Sequence, residues 1–174
     1  MIKYFFLLLS LVFIVGCTKT EATDSVTPID NSENSLITSV TSTFSTDMLN
    51  AVNALRAKGC NCGGQIMPPV PALKWNPLLE AASLRHAKDM NTAKIFSHTG
   101  SDGSTMRIRI DAAGYRWSSI GENIAWGYPT LAAVITGWTN SAGHCKNMMS
   151  PTFKELGAAH EGSYWVQDFG KPLF

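Results

Sequence analysis

The chain changes composition at Cys17 and again near Thr46, and these two breaks limit which part of it can fold. Lys3 is the only charged residue before Cys17, and residues 18–46 carry one basic residue against four acidic ones. Residues 47–174 hold 12 basic and 9 acidic residues, a net charge of +3. The total of +1 therefore averages three unlike segments. It excludes the strongly basic field on which nucleic-acid binding relies, so we expect no nucleic-acid partner.

The first segment, residues 1–16, has the pattern of a signal peptide. Lys3 gives a positive start, and the apolar run that follows is interrupted only by Ser10. A permanent membrane helix needs roughly 20 apolar residues, and this run is shorter. A short apolar core behind a basic start is typical of an export signal. We therefore expect these residues to be removed during export.

The end of the run, Ile14-Val15-Gly16-Cys17, resembles the bacterial lipoprotein box. In proteins with this box the signal is cut before the cysteine, which then receives a diacylglycerol and usually an acyl chain on its new amine. Several acyl chains anchor a protein stably where one does not. The resemblance implies lipidation of Cys17 and a place at the bacterial cell envelope, periplasmic or surface-exposed, with the membrane as a partner. The alternative is an ordinary signal peptide with a chance cysteine.

Residues 17–45 have the composition of a flexible acidic and polar tether. They are rich in Ser, Thr, Asp, Glu and Asn, contain no Trp or Tyr, and show no sustained apolar period. Such a segment buries too little apolar surface to offset its ordering entropy. The sequence therefore predicts a spacer that ends where the folded domain, residues 46–174, begins.

Within that domain, helix signals come first and strand signals come last. Helices are predicted from an N-cap at Thr46 to Gly59, from Asn76-Pro77 onward, over Ser104–Ala113 and over about Leu131–Asn140. Leu156–His160 and Ser163–Phe169 flank Glu161-Gly162 as the strands and two-residue turn of a hairpin. Residues 118–128 are a loop or a strand. This order indicates an α+β layered domain.

Four stretches in a fixed order carry a family resemblance. They are Phe96-Ser97-His98-Thr99 with Ser101-Asp102-Gly103-Ser104; Ala113-Gly114-Tyr115 ahead of Gly121-Glu122-Asn123-Ile124-Ala125; Gly137 through His144; and Tyr164-Trp165-Val166-Gln167. Over residues 47–169 the chain resembles the CAP superfamily, the SCP-like extracellular domain shared with plant pathogenesis-related proteins and venom antigens. The similarity is closest to its bacterial branch.

The resemblance implies a three-layer α-β-α sandwich with a central antiparallel sheet and a cleft lined by histidine and glutamate. His98, Glu122 and His144 match cleft positions of the family. Ser141 stands where eukaryotic members have a second glutamate, and Tyr164 where they have their last cleft histidine. The eukaryotic four-residue set is therefore not intact. Family members are secreted or surface proteins with reported roles in binding sterols or fatty acids, divalent metals, proteins or cell-wall material.

The cleft residues allow two chemical interpretations. Two neutral imidazoles and one carboxylate, from His98, His144 and Glu122, form a three-ligand set for a divalent metal such as Zn²⁺ and leave a position for water. The alternative is a polar cleft in which Glu122 accepts a hydrogen bond from His98 and orients it. Such a pair shifts pKa values without implying catalysis.

The other histidines and the tryptophans have structural explanations. His86 lies on an apolar helix face with Leu79, Ala82 and Met90, which favours a core histidine over a ligand. His160, beside an exposed turn, is expected at the surface. The five tryptophans are more often core and cleft wall than platforms for sugar stacking.

If Cys17 is acylated, three cysteines remain for disulfide pairing or metal binding: Cys60, Cys62 and Cys145. Export favours oxidation, so a disulfide between Cys145 and either Cys60 or Cys62 is expected. A bridge between Cys60 and Cys62 would be strained at that spacing. A zinc site formed by the three thiols with His144 would compete with the disulfide. A nucleophilic Cys145–His144 dyad is disfavoured because chain neighbours rarely face each other as a catalytic pair needs.

These observations predict a non-catalytic ligand-binding or interaction module. The sequence contains no phosphate-binding glycine loop, no Gly-x-Ser-x-Gly elbow and no His-Glu-x-x-His pair, which disfavours the common nucleotide-binding, α/β-hydrolase and zincin classes. One alternative is a metal-dependent hydrolase or peptidase of the envelope that uses His98, Glu122 and His144. Another is a structural or adhesive surface protein.

Overall fold

The structure, a computed structural model, describes residues 31–173, with side chains described from residue 43 onward. The predicted signal peptide, Cys17 and the first part of the tether lie outside the described residues. The helices are α1 (Asn31–Lys58), α2 (Pro77–Ala93), α3 (Met106–Ala112), α4 (Leu131–Asn140) and α5 (Ala142–Met149). The strands are β1 (Cys60–Cys62), β2 (Gln65–Met67), β3 (Lys74–Trp75), β4 (Trp117–Trp126), β5 (Glu155–Glu161) and β6 (Tyr164–Pro172). Within residues 31–173, no helix combines the length and apolar character that a membrane span requires.

Four of the strands form one sheet in the order β3-β5-β6-β4. The three long strands are antiparallel, and the two-residue β3 runs parallel to β5. Strands β1 and β2 form a separate antiparallel hairpin. The α+β class and the central antiparallel sheet predicted from the sequence are thus confirmed, with β3 as a short parallel addition at one edge.

The sheet is covered by helices on both faces, because successive residues of a strand point to opposite sides. On one face, Ala125 and Trp165 pack in a buried cluster with Met48 of α1 and Trp138 of α4. On the other, the neighbouring strand residues pack in a second cluster against α2: Ile124, Ala159 and Val166 meet Ala87 and Met90. These two clusters give the three layers.

The helix-capping signals in the sequence are confirmed for α2. Asn76 has extended backbone angles, and its side chain accepts hydrogen bonds from the backbone N–H groups of Leu78 and Leu79, with Pro77 at the first helical position. Buried residues of this helix include the four predicted on its apolar face, Leu79, Ala82, His86 and Met90. The predicted helices at Ser104–Ala113 and Leu131–Asn140 also form, the first shortened to Met106–Ala112.

The predicted start of the first helix at Thr46 is wrong. Helix α1 begins at Asn31, so Thr46 lies inside it and residues 31–45, assigned to the tether by composition, are helical. Neither Gly nor Pro occurs between Asn31 and Lys58 to interrupt the helix. Phe44 also packs on Trp165, with ring centroids 6.3 Å apart. A tertiary contact made before Thr46 therefore outweighs the polar composition.

Three further local differences concern the second half of the chain. The turn between β5 and β6 is Gly162-Ser163, one residue later than predicted, because Glu161 pairs with Tyr164. Gly162 supplies the positive φ of 59° that this turn uses. Residues 117–126 form a full edge strand that pairs with β6. Helix α5 was not predicted; it has eight residues, including Gly143, and too few to show a clear period.

Candidate functional site

A histidine and a glutamate meet at the edge strand β4, as the resemblance predicted. Nδ1 of His98, in the loop between α2 and α3, lies 2.7 Å from Oε1 of Glu122. The carboxylate only accepts, so Nδ1–H is the donor. The His98 side chain is 59% exposed and that of Glu122 only 3%. With Nδ1 committed to Glu122, Nε2 is the ring atom that His98 offers to a ligand.

A buried arginine holds the other side of the glutamate. An amino nitrogen of Arg109, on α3, donates to Oε2 of Glu122 at 2.6 Å, and this side chain is 1% exposed. The same guanidinium donates to the backbone carbonyls of His98 and Ser104. Arg109 therefore fixes the glutamate and the loop that carries His98 at the same time.

The charges around Glu122 keep it ionised. Burial alone would raise its pKa, but the hydrogen bond from His98 and the positive charge of Arg109 outweigh burial and lower the pKa. A carboxylate with both oxygens bonded to donors is a fixed acceptor. It orients the imidazole, as the polar-cleft interpretation predicted.

A second carboxyl group lies beside Glu122. Asp168 is its cross-strand partner on β6 and is 1% exposed. Its Oδ2 accepts a hydrogen bond from the Ser83 hydroxyl at 2.8 Å. Burial, and next the negative charge of Glu122, raise the pKa of Asp168 well above its ordinary value. The raised pKa favours the protonated form of Asp168 beside the Glu122 carboxylate, and among the described residues its Oδ1 has no hydrogen-bond partner.

His144 lies in the first turn of α5, beside the edge strand β4. Its backbone carbonyl accepts a hydrogen bond from Asn123, the residue next to Glu122 on the strand. Asn147, one turn further along α5, donates to the Glu122 carbonyl and to the Asn123 side chain. Burial, and next the charge of His98, lower the pKa of His144. Glu122 thus contacts the side chain of His98, and Asn123 contacts the backbone of His144.

Two cavities result. His98 and Glu122 line a cleft of about 430 Å³ together with Thr99, Thr105 and Met106. His144 lines another of about 300 Å³, whose walls include Phe96, Trp126, Tyr128, Trp138 and Ser141. Both volumes are within the range of small-ligand pockets. The structure thus brings His98 and Glu122 together in one cavity, and His144 lines the other.

The predicted three-ligand metal set is not assembled in this arrangement. Among the described residues, only Cys60, Cys62 and Cys145 form a group of three potential ligands whose atoms lie within 4.8 Å of one another. Both oxygens of Glu122 are bonded to His98 and Arg109. The ligand atoms of His98, His144 and Glu122 do not all lie within 4.8 Å of one another, and metal binding by this set stays a prediction.

The remaining candidates have structural positions. Tyr164 is buried in the cluster of Met90, Ile124 and Val166 and lines neither of these cavities, unlike the cleft position predicted for it. His86 is fully buried, as expected, and its Nε2 contacts the Ser97 carbonyl at 2.9 Å. His160 is exposed and stacks on Trp165, with ring centroids 3.7 Å apart.

The tryptophans divide between core and surface. Trp138 and Trp165 are buried in the core, while Trp126 is 60% exposed at the rim of the His144 cavity. The rim position of Trp126 and the buried positions of Trp138 and Trp165 agree with the expectation that the tryptophans lie in the core and the cleft wall.

The expected disulfide joins Cys145 to Cys62 and leaves Cys60 as a free thiol. It connects β1 to α5, the helix that carries His144 and Asn147. Of the two pairings that the sequence allowed, the structure thus contains the one with Cys62.

Sequence reasoning missed Arg109 and Asp168. Each is a charged residue in an apolar segment: Arg109 lies between Ile108 and Ile110, and Asp168 lies within β6, next to Phe169. A charge in such a position is rare unless it is paired. That signal marks them as candidates, but only the packing of α3 on β4 and the register of β4 with β6 identify Glu122 as the neighbour of both.

The fold and the site together define an α-β-α sandwich domain with a histidine–glutamate pair at the edge of its sheet. Residues 49–169, about two thirds of the chain, match the family model described as "CAP: Cysteine-rich secretory protein family". The protein belongs to this family.

Two relatives come from Bacillus subtilis (strain 168). The uncharacterized membrane protein YlbC is 29% identical over 99 residues, which are 57% of this chain and 29% of YlbC. The uncharacterized protein YkwD is 30% identical over 99 residues, 56% of this chain and 38% of YkwD. The chain thus spans about a third of the length of these relatives.

Solved structures share the fold. An extracellular protein containing a SCP domain from Bacillus anthracis has a TM-score of 0.65 at 26% identity, covering 72% of this chain and 39% of its own. An outer surface protein from Borrelia burgdorferi has a TM-score of 0.59 at 19% identity, covering 83% of this chain and 96% of its own. The second likeness concerns the fold alone.

Proposed function

We propose that the protein is a non-catalytic binding module of the cell envelope, and that its ligand contacts His98 in the cleft beside Glu122. The observation that carries this proposal is the state of the Glu122 carboxylate, whose two oxygens are bonded to His98 and Arg109. A general base must lie within hydrogen-bond reach of the proton that it removes, and the Glu122 side chain is only 3% exposed, with both oxygens already accepting hydrogen bonds. The same contacts therefore argue against Glu122 as the base of a hydrolase and favour it as the residue that orients His98.

The lining of the cleft indicates the chemistry of the ligand. Thr99 and Thr105 contribute hydroxyl groups, His98 contributes Nε2, and Met106 contributes an apolar wall. Such a surface suits a ligand with several hydroxyl or amide groups better than a sterol or an acyl chain. We propose a cell-wall saccharide or peptide as the ligand class.

Attachment to the membrane through Cys17 is the second part of the proposal. It rests on the lipoprotein box in the sequence, and the Bacillus anthracis neighbour is described as extracellular. We expect the chain to be recovered with the membrane fraction of a bacterial host, and the Cys17→Ser variant in the soluble fraction. Equal recovery of both variants in the soluble fraction would contradict lipid anchoring.

Binding is tested by calorimetry with muropeptides released from purified peptidoglycan. We expect saturable heat with the Cys17→Ser chain and at least about tenfold weaker binding with an added His98→Ala change, a loss of about 1.4 kcal/mol. His160→Ala serves as the matched control, because His160 is exposed and stacks on Trp165, away from the cleft. The absence of binding, or equal affinities in the two alanine variants, would overturn the proposed ligand site.

A further inference from the structure

Three sulfur atoms meet where the β1–β2 hairpin contacts α5. Cys60 and Cys62 are two residues apart on β1, so their side chains point to the same face and that of Asn61 to the other. Cys145 on α5 faces them and is bonded to Cys62. The Sγ atom of Cys60 lies 3.3 Å from that of Cys145 and 3.5 Å from that of Cys62. A free thiol is thus in contact with both sulfurs of a disulfide.

The three sulfurs differ in their access to solvent. Cys62 and Cys145 are fully buried with Met149, while Cys60 is half-buried. An external thiol attacks a disulfide by direct contact with one of its sulfurs. The disulfide is closed to such an attack, and Cys60 is the sulfur of this cluster that an external reagent reaches.

We propose that Cys60 is an exchange nucleophile that makes the buried Cys62–Cys145 disulfide reversible. The Cys60 thiolate attacks Sγ of Cys145, the Cys62–Cys145 bond breaks, and Cys62 leaves as a thiolate that takes up a proton. The product holds a Cys60–Cys145 disulfide and a Cys62 thiol, so the number of disulfides and the oxidation state of the protein are unchanged. No oxidant or reductant is consumed.

The strand geometry favours this route over attack on Cys62. Attack on Cys145 keeps β1 covalently joined to α5, and only the strand residue that carries the bond changes. Attack on Cys62 would join two cysteines of one strand and release α5. The two sulfur distances are nearly equal, so Cys60 lies beside the disulfide and its side chain must rotate into line before reaction.

The proposed exchange makes the disulfide accessible to an external thiol. In the Cys60–Cys145 form, one sulfur of the disulfide is the half-buried Cys60, which an external thiol can attack. Burial raises the pKa of the Cys60 thiol, which keeps its thiolate fraction low and the exchange slow compared with an exposed cysteine. Reduction of the protein therefore passes through Cys60.

The first test maps the disulfide in the full chain carrying Cys17→Ser, purified without reductant. Free thiols are blocked with N-ethylmaleimide after increasing incubation times, and the protein is digested without reduction and examined by mass spectrometry. We expect the label first on Cys60 and later also on Cys62, together with a linked Cys60–Cys145 peptide. Label confined to Cys60 at all times, or label that appears only after a bound metal is chelated, would overturn the proposal.

The second test measures reduction by dithiothreitol. We expect the added Cys60→Ser change to slow reduction of the Cys62–Cys145 bond at least about tenfold, since no relay remains. Asn61→Ser, on the other face of β1, is the matched control and is expected to keep the parent rate. Equal rates in the parent and the Cys60→Ser variant would overturn the proposal. Circular dichroism checks that both variants are folded. If a variant does not fold, the disulfide mapping of the parent protein decides whether Cys60 exchanges with the disulfide.

Discussion

At the scale of single residues, Glu122 shows how one buried carboxylate organises a site. Its two oxygens divide their bonds between an exposed imidazole and a buried guanidinium, so the same charge that stabilises Arg109 also orients His98. The neighbouring Asp168 avoids a second buried negative charge because burial raises its pKa. A network of this kind is costly to break, since each partner left behind is a buried, unpaired group.

Arg109 is the residue whose loss should be felt most. We expect Arg109→Met to destabilise the protein by about 3–5 kcal/mol, because it leaves Glu122 charged and buried without its partner. Arg107→Met is the control: Arg107 is 71% exposed, and its pair with Asp111 is worth at most about 1 kcal/mol. Urea denaturation of both variants measures the difference. Equally small losses of unfolding free energy in the two variants would contradict the structural role of Arg109.

At the scale of elements, the start of helix α2 lies in close contact with the sheet. Gly157 on β5 faces the start of α2, and a Cβ atom at this position would collide with the backbone nitrogen of Glu80 and the carbonyl carbon of Leu79. Glycine is therefore required by close approach of two backbones. This contact sets the distance between α2 and β5, and Gly157 of β5 pairs with Asp168 on the neighbouring strand β6.

Substitution at this contact gives a prediction for the packing of the layers. We expect Gly157→Ala to cost about 1–3 kcal/mol or more, since the obstructing atoms belong to helix backbone and cannot rotate away. Gly143→Ala on α5 meets no atom within 4 Å, and we expect it to stabilise the protein by about 0.5–1 kcal/mol, the ordinary gain in a helix. Thermal unfolding compares them. A neutral Gly157→Ala would show that the layers are not held at this distance.

Much of the element order was readable from local signals, and the errors have physical causes. The cap at Asn76 and the stop at Gly59 are encoded by one or two residues each, and both were predicted. The start of α1 was not predicted, because tertiary contacts such as that of Phe44 with Trp165 leave no pattern in the local sequence. His98 and Glu122 were found through the resemblance. Their arrangement with Arg109 depends on how α3 packs on β4, and that with Asp168 on strand register; no local pattern shows either.

At the scale of the whole molecule, stability should depend on pH through the buried carboxyl groups. The pKa of Asp168 is raised in the folded state, so between its ordinary and its raised value the folded protein binds more protons than the unfolded one. The contribution of this group to stability is complete below the ordinary pKa and is lost as pH rises through the raised one. Glu122, with a lowered pKa, contributes in the opposite direction and is lost on acidification.

The Asp168→Asn variant isolates the first of these contributions. We expect its stability relative to the parent to increase as pH rises from about 4 toward neutrality, because asparagine needs no proton to remain neutral. Asp111→Asn, which makes the same change at a half-exposed position, is the matched control. Denaturation series at several pH values measure the three proteins. Parallel profiles for the parent and Asp168→Asn would contradict a raised pKa.

The central claim is that His98, oriented by Glu122, binds a ligand without cleaving it. Its most direct test is the imidazole ¹H–¹⁵N correlation spectrum of the ¹⁵N-histidine-labelled chain during addition of muropeptides. We predict a proton on Nδ1 of His98, a saturable shift of its Nε2 signal, no such shift for His160, and recovery of the muropeptide intact. Cleavage of the muropeptide that is lost in Glu122→Gln, or spectra in which His98 does not respond, would contradict the claim.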